Sequence, residues 1–182
     1  EMGAYTFGEI DRLCKLTPPH IGVLTAIGPQ HLERFKTVER VAEAKYELMR
    51  NLGTDGIGIF NGDDPRCSAL SQRPAAFRAL RYGLDPDHAS LDAWASNVSM
   101  TGRGTEFDVS TASGATAHFA TALLGEHNVS NVLAATTVAL QCGMTLEEIG
   151  CTLATLEPVE HRLQRIDGAA GVTVIDDAYN AN

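Results

Sequence analysis

A lysine stands where the pattern calls for an apolar residue. Read as a helix from Val38, the apolar positions are Val38, Val41, Ala42, Leu48 and Met49, and Lys45 completes their stripe. Side chains three and four residues apart share one helix face. Three readings fit a cation there. Lys45 can lie at the edge of the buried face and snorkel to water, which periodicity alone favours. It can be buried and paired with Glu1, Glu33 or Glu47. Or desolvation can disfavour its charged form. A neutral amine adds carbon dioxide to give a carbamate, an anionic oxygen ligand suited to Mg²⁺. His31 bears on the choice. It follows an apolar run and the Gly28-Pro29 break, so it is placed at the C-terminal end of a strand, the edge where open α/β sheets bind ligands. A lone histidine is more often structural, but one followed by an inward-facing lysine on the next helix is harder to dismiss.

Further polar groups gather in two later stretches. In "GEHNVSNVLAA", Gly125 makes a turn and Asn128 is placed as the N-cap of a helix. Val129, Val132, Leu133, Thr136 and Leu140 form its packing face. Capping explains Asn128, and exposure explains Asn131. An asparagine amide also offers a donor beside an acceptor, which matches the N6/N7 edge of adenine. "VTVIDDAYNAN" ends an apolar run with Asp176 and Asp177, residues that serve equally in a turn or a cap. Arg162 reads by itself as a surface arginine at a strand start. No Gly-x-x-x-x-Gly-Lys-Ser/Thr phosphate loop occurs.

The elements that must position these groups alternate. A helix over 9–16 is closed by Thr17-Pro18-Pro19. Strands are expected over 21–27, 56–62 and 77–84. Helices are expected over 38–52, with Thr37 as N-cap, and over 63–73, with an acidic start and Pro65 in its first turn. Strand–helix alternation predicts an α/β domain with a mostly parallel sheet flanked by helices. From 91 to 123 the pattern changes to alternating polar and apolar residues with turns at Gly102-Arg103-Gly104 and Ser113-Gly114, a small antiparallel meander. Helices over 128–141 and 146–156 follow, the second with a Thr145/Glu148 capping box. Two strands, 162–166 and 172–176, flank 168–171.

Composition limits the function classes. The chain has 182 residues, 44% hydrophobic and 20% charged, with net charge −9. That supports one globular domain and argues against nucleic-acid binding. No apolar run is long enough to cross a membrane, and no signal-peptide pattern is present. Cys14, Cys67, Cys142 and Cys151 are scattered without a Cys-x-x-Cys pair, against a zinc site. They read as free, buried thiols in a reducing cytoplasm. The chain opens at Glu1 without an initiator methionine and stops just after an apolar run, and it reads as a segment of a longer protein.

Several ordered stretches carry a resemblance: "EMGAYTFGEI", "TAIGPQHLERF", "AEAKYEL", "GIGIFNGDD", "GTEF", "GEHNVSNVLAA", "EHRLQ" and "DDAYNAN". Over nearly all 182 residues they resemble the central ATP-binding domain of the Mur ligases, nearest to the D-alanyl-D-alanine-adding branch. The resemblance implies the P-loop-type fold of that domain, a phosphate loop upstream of Glu1 and a further domain beyond Asn182. It implies a carbamylated Lys45 that shares Mg²⁺ with Glu1 and His31. It assigns adenine contacts to Asn128 and Asn131, with His127 beside them, and the ATP ribose to Asp176, with Asp177 close behind. Tyr179 and Asn180 would line the same pocket. Arg162 matches the arginine of a Pro-Gly-Arg stretch that approaches the γ-phosphate, although Glu160-His161 here stands in place of Pro-Gly. Lys45, His31 and Arg162 are thus the expected catalytic residues.

The reaction implied is ATP-dependent amide formation between UDP-N-acetylmuramoyl-tripeptide and D-alanyl-D-alanine through an acyl phosphate, in peptidoglycan synthesis. The protein is expected to be a cytoplasmic monomer whose segment 1–182 is inactive alone. The alternatives are another ligase of the same fold, of folylpolyglutamate or cyanophycin synthetase type, or a nucleotide-binding module without catalysis. An intact or a degraded phosphate loop upstream separates the enzyme from the module.

Overall fold

A computed structural model describes residues 1–84, 90–102 and 104–179. The elements run α1 (Glu9–Leu16), β1 (Ile21–Leu24), α2 (Leu32–Phe35), α3 (Val38–Arg50), β2 (Ile57–Asn61), α4 (Pro65–Ser71) and β3 (Arg78–Gly83). Then come β4 (Ala93–Thr101), β5 (Gly104–Thr111), β6 (Thr116–Thr121), α5 (Glu126–Gln141), α6 (Leu146–Leu153), β7 (Gln164–Asp167) and β8 (Thr173–Asp176). One sheet has the order β1-β2-β3-β4-β5-β6, and β7-β8 form a separate pair. β1 to β4 run parallel, and β5 and β6 return antiparallel. The predicted mostly parallel sheet is present. The meander is its continuation, because β4 pairs with β3 on one side and β5 on the other.

The nearly unbroken apolar runs of β1 and β2 follow from burial on both faces. On β2, Ile59 faces a core with Tyr82, Phe107, Val129 and Leu133, under α5 and α6. Its neighbour Phe60 faces the opposite core with Leu24, Ile27, Tyr46, Met49 and Cys67, under α3 and α4. Successive residues of a strand point to opposite faces, so two adjacent apolar residues serve two cores.

Local chemistry sets the helix ends. Thr37 accepts from Arg40 N at 3.3 Å as the N-cap of α3. Asp64 accepts from Arg66 N and Cys67 N, both at 2.9 Å, with Pro65 following in the first turn of α4. The Thr145/Glu148 capping box forms as predicted. α1 has no cap of its own side chains, since Gly8 stands at its N-cap. Glu47 of α3, only 7% exposed, takes that role across space, accepting from Gly8 N at 2.7 Å and Asp11 N at 3.1 Å.

Several expectations are corrected. The 21–27 strand ends at Leu24, and the 146–156 helix ends at Leu153. The turn α2 was not predicted; four residues carry too little periodicity to see. Cys14 and Cys67 are buried as expected, but Cys142 and Cys151 are exposed. Cys142 is the C-cap of α5, and Cys151 lies on the outer face of α6. Of the Gly102-Arg103-Gly104 turn, Arg103 lies outside the described residues. Among the described residues no helix is long and apolar enough to cross a membrane.

Candidate functional site

The first group of predicted residues converges past the end of β1. Glu1, Thr25, Ala26, His31 and Lys45 line one cavity of about 380 Å³. Glu1, Thr25, Ala26 and Lys45 also line an adjoining cavity of about 490 Å³ beside β1, whose outer edge has no neighbour among the described residues. Lys45 is half-buried, and its Nζ donates to Ala26 O at 3.0 Å. Of the three readings of Lys45, the ion pair with Glu1, Glu33 or Glu47 is not formed among the described residues. Glu47, two residues on and so on a different face of α3, points instead to the N-terminus of α1. The lysine therefore borders the cavity held by a backbone carbonyl.

His31 adopts the left-handed conformation (φ 51) at the start of α2, a region in which histidine is enriched among non-glycine residues. Its ring packs against Tyr5, with centroids 4.4 Å apart, and the Arg34 guanidinium lies 5.6 Å from the other ring's centroid, over Tyr5. Glu33 approaches His31 Nδ1 at 3.8 Å. Tyr5 was not singled out from the sequence; only its place inside "GAYTFGEI" hinted at it. The loops after β1 and β2 are tied together: Asn61 Nδ2 donates to Thr25 O at 2.8 Å, and Ile27 N donates to Asp64 at 3.0 Å. Burial pushes the Asp64 carboxyl up, but the amides of Ile27, Cys67 and Arg66 outweigh it and hold it below the usual range. Burial raises the Cys67 thiol to about 12, so this cysteine is inert at neutral pH.

The second group lies at the start of α5. The helix begins two residues earlier than predicted, and Gly125 (φ 92), not Asn128, is the N-cap. A Cβ on residue 125 would meet the His127 ring, so glycine serves both the backbone conformation and the close approach. Asn128, inside the first turn, turns its side chain back to Leu124 O at 2.8 Å. Asn131 Nδ2 lies 3.4 Å from Asn128 Oδ1, linking the two amides. His127 and Asn131 are exposed, and Asn128 is half-buried. The predicted packing face is present, with Val129, Val132, Leu133 and Thr136 buried and Leu140 packed behind them. Ser130 lies near the Tyr82 hydroxyl, which is buried without a well-formed hydrogen bond and pushed up in pKa by burial. Tyr82 pairs with Ala93 near the C-terminal end of β3, so this contact brings the N-terminal part of α5 to the same sheet edge as the β1 cavity.

The third group is on the β7–β8 pair. His161 Nδ1 lies 2.7 Å from Asp176 Oδ2. Asp177 accepts from Leu163 N at 3.2 Å. The Arg162 guanidinium sits over the Tyr179 ring at 4.3 Å. Asn180 lies outside the described residues. Among the described residues, the three groups make no hydrogen bond, ion pair or ring contact with one another. Each is assembled internally.

An α/β sheet with polar side chains past the C-terminal ends of its parallel strands is the architecture of a ligand-binding domain of the doubly wound type. The Mur ligase middle domain profile matches residues 1–139, and the chain belongs to that family. It is 38% identical, over its whole length, to UDP-N-acetylmuramoyl-tripeptide–D-alanyl-D-alanine ligase of Mycobacterium tuberculosis H37Rv, covering 35% of that protein. Against the ligase of the same name from Escherichia coli K12 the identity is 35%, again over the whole chain and 40% of the relative. Among solved structures, MurF from Acinetobacter baumannii superposes with a TM-score of 0.87 at 29% identity, over 99% of this chain and 38% of that one. MurF ligase from Thermotoga maritima in complex with ADP gives 0.83 at 27% identity, over 100% of this chain and 40% of that one. The chain thus spans little more than a third of the length of the relatives it matches.

Proposed function

We propose that residues 1–182 form the central ATP-binding domain of a longer ligase that joins D-alanyl-D-alanine to UDP-N-acetylmuramoyl-tripeptide. The observation that carries this reading is the convergence of Glu1, His31 and Lys45 on one cavity at the C-terminal end of β1. The end-to-end match to ligases of that name supports the choice of substrates.

The chemistry is amide formation driven by ATP. The carboxylate of the tripeptide attacks the γ-phosphorus, ADP leaves, and an acyl phosphate forms. The amine of D-alanyl-D-alanine then adds to the acyl carbon, loses a proton, and inorganic phosphate departs. Two anions must meet in the first step, so the protein's task is positioning and charge neutralisation. Arg162 would leave the Tyr179 ring and bring its fork of donors to the transferring phosphoryl group. Asn128 and Asn131 would read adenine, with His127 alongside. Asp176 and Asp177 would accept from ribose hydroxyls, and Tyr179 and Asn180 would line that pocket.

The donors past β1 fit a Mg²⁺ ion once Lys45 is a carbamate. Glu1 and His31 line the cavity and supply a carboxylate and an imidazole. Among the described residues no group of three or more His, Cys, Asp and Glu side chains is arranged to hold a metal. The third protein donor would then be Lys45 as its carbamate, since an ammonium there repels the ion. Mg²⁺ would supply positive charge against the phosphate and the incoming carboxylate.

The test is ADP release by the whole ligase, dependent on both substrates. Lys45→Ala is expected to lower kcat at least about a hundredfold, an effect of the size lost with one key charge-stabilising group. It should also abolish the carbamate signal seen by NMR after equilibration with ¹³C-bicarbonate. Full activity of that variant, or turnover without D-alanyl-D-alanine, would sink the reading.

A further inference from the structure

We infer that His161 is a positioning residue that sets the Asp176 carboxylate for the nucleotide ribose. The inference rests on the reading of Asp176 given above. His161 occupies the left-handed region (φ 63), a conformation that aims its side chain out of the turn before β7. Its imidazole Nδ1 holds Asp176 Oδ2 at 2.7 Å, while Ala178 N donates to Asp176 Oδ1 at 3.1 Å. Both carboxylate oxygens are therefore held, and each keeps a lone pair for a hydroxyl donor.

The side-chain bond is not needed to dock the loop onto β8. Tyr179 N already donates to His161 O at 3.0 Å, and Leu163 N to Asp177 Oδ1 at 3.2 Å. Gln164 Oε1 takes His161 N at 3.2 Å. With the backbone tied at these points, the remaining consequence of the imidazole contact is the orientation of Asp176. A carboxylate fixed before binding loses less rotamer freedom when the ribose arrives.

The charges around the imidazole agree with this role. Asp176 raises the His161 pKa by hydrogen bonding and charge, and Glu160 adds to it. His161 in turn, with Ala178 N, lowers Asp176. Asp177 is engaged by Leu163 N, and Arg162 by the Tyr179 ring, so neither competes for the pair.

Titration calorimetry of the whole ligase with ADP and with 2′,3′-dideoxy-ADP tests it. His161→Gly suits the backbone and removes the donor. It is expected to weaken ADP about two- to tenfold and leave the dideoxy analogue nearly unchanged. His161→Asn tolerates the same backbone and places an amide nitrogen where Nδ1 stands, so it should restore ADP binding to within about twofold. Equal weakening of both nucleotides by His161→Gly, or no weakening at all, overturns the inference while leaving the ribose role of Asp176 standing. If Asp176→Asn leaves ADP affinity untouched, the underlying reading fails, and the inference fails with it.

Discussion

The cavity past β1 and the β7–β8 pair hold their polar groups by different physics. Around β1, Lys45 sits on a helix whose neighbours Ala44, Tyr46 and Met49 are at most 5% exposed. His31 is placed by a helix start and by the ring of Tyr5. Packing there determines where each side chain can go. On β8, Val174 and Ile175 are about half exposed, at 47% and 48%. The pair reaches the rest of the fold through a hydrogen bond from Arg165 to Gly102 O. Its functional candidates are placed by side-chain and backbone hydrogen bonds among themselves. A site held by a core tolerates loss of individual polar contacts. A site held by hydrogen bonds is sensitive to each of them and nearly indifferent to its apolar side chains.

The largest expected effect breaks the core-held side. Phe60→Ala removes a fully buried ring beneath the β1 cavity. It should cost about 3–5 kcal/mol in urea or thermal unfolding. Next comes Glu47→Ala, which deletes the acceptor for Gly8 N and Asp11 N. About 1–3 kcal/mol should be lost, with α1 fraying first in hydrogen exchange. Asp64→Ala should cost about 1–2 kcal/mol, since it removes the cap of α4 and the tie to Ile27. The Asp64 carboxyl is lowered on folding, so its stabilisation is present above its ordinary value of 3.8 and is lost as pH falls through the lower folded value. Acid unfolding of the wild type should therefore show a component that Asp64→Ala lacks.

On the other side, pH separates the hydrogen-bonded region. His161 is raised from 6.5, so its contribution is present below 6.5 and is lost as pH rises through the folded value. Asp176 is lowered from 3.8, so its contribution is present above 3.8 and is lost as pH falls through the folded value. The pair should be fully formed between those two ordinary values. Amide shifts of residues 161–179 followed by NMR should move outside that window while those of β2 stay still. The smallest effect sharpens the contrast. Val174→Ala should change stability by no more than about 0.5 kcal/mol. A loss as large as that of Phe60→Ala would show that the β7–β8 pair is packed after all.

Much of this was legible along the chain, for local reasons. α1 coincides with its predicted range because Thr17-Pro18-Pro19 stops it. Thr37 and Thr145 cap the helices that their side chains suggested, and the acidic start expected over 63–73 resolves into Asp64 as the cap of α4. The Asn128 cap failed because Gly125, three residues earlier, already supplied the helix start, leaving the asparagine inside the first turn. Cys142 and Cys151 failed because size and polarity do not say which face of a helix a residue occupies. The Lys45 stripe lies on the inward side as its spacing suggested, but the acceptor that Nζ meets is the Ala26 carbonyl past the end of β1, which no spacing along the chain announced.

By itself, the sequence determined the alternation of elements, the caps, the meander and the residues able to do chemistry, because these depend on neighbours within a few positions. Only the tertiary structure decided that Glu1 and Lys45, 44 positions apart in number, share a cavity with His31. It also decided that Glu47 caps a helix begun some forty residues earlier and that His161 grips Asp176. Those pairings depend on strand order and helix packing, and no local spacing encodes where two distant segments will meet.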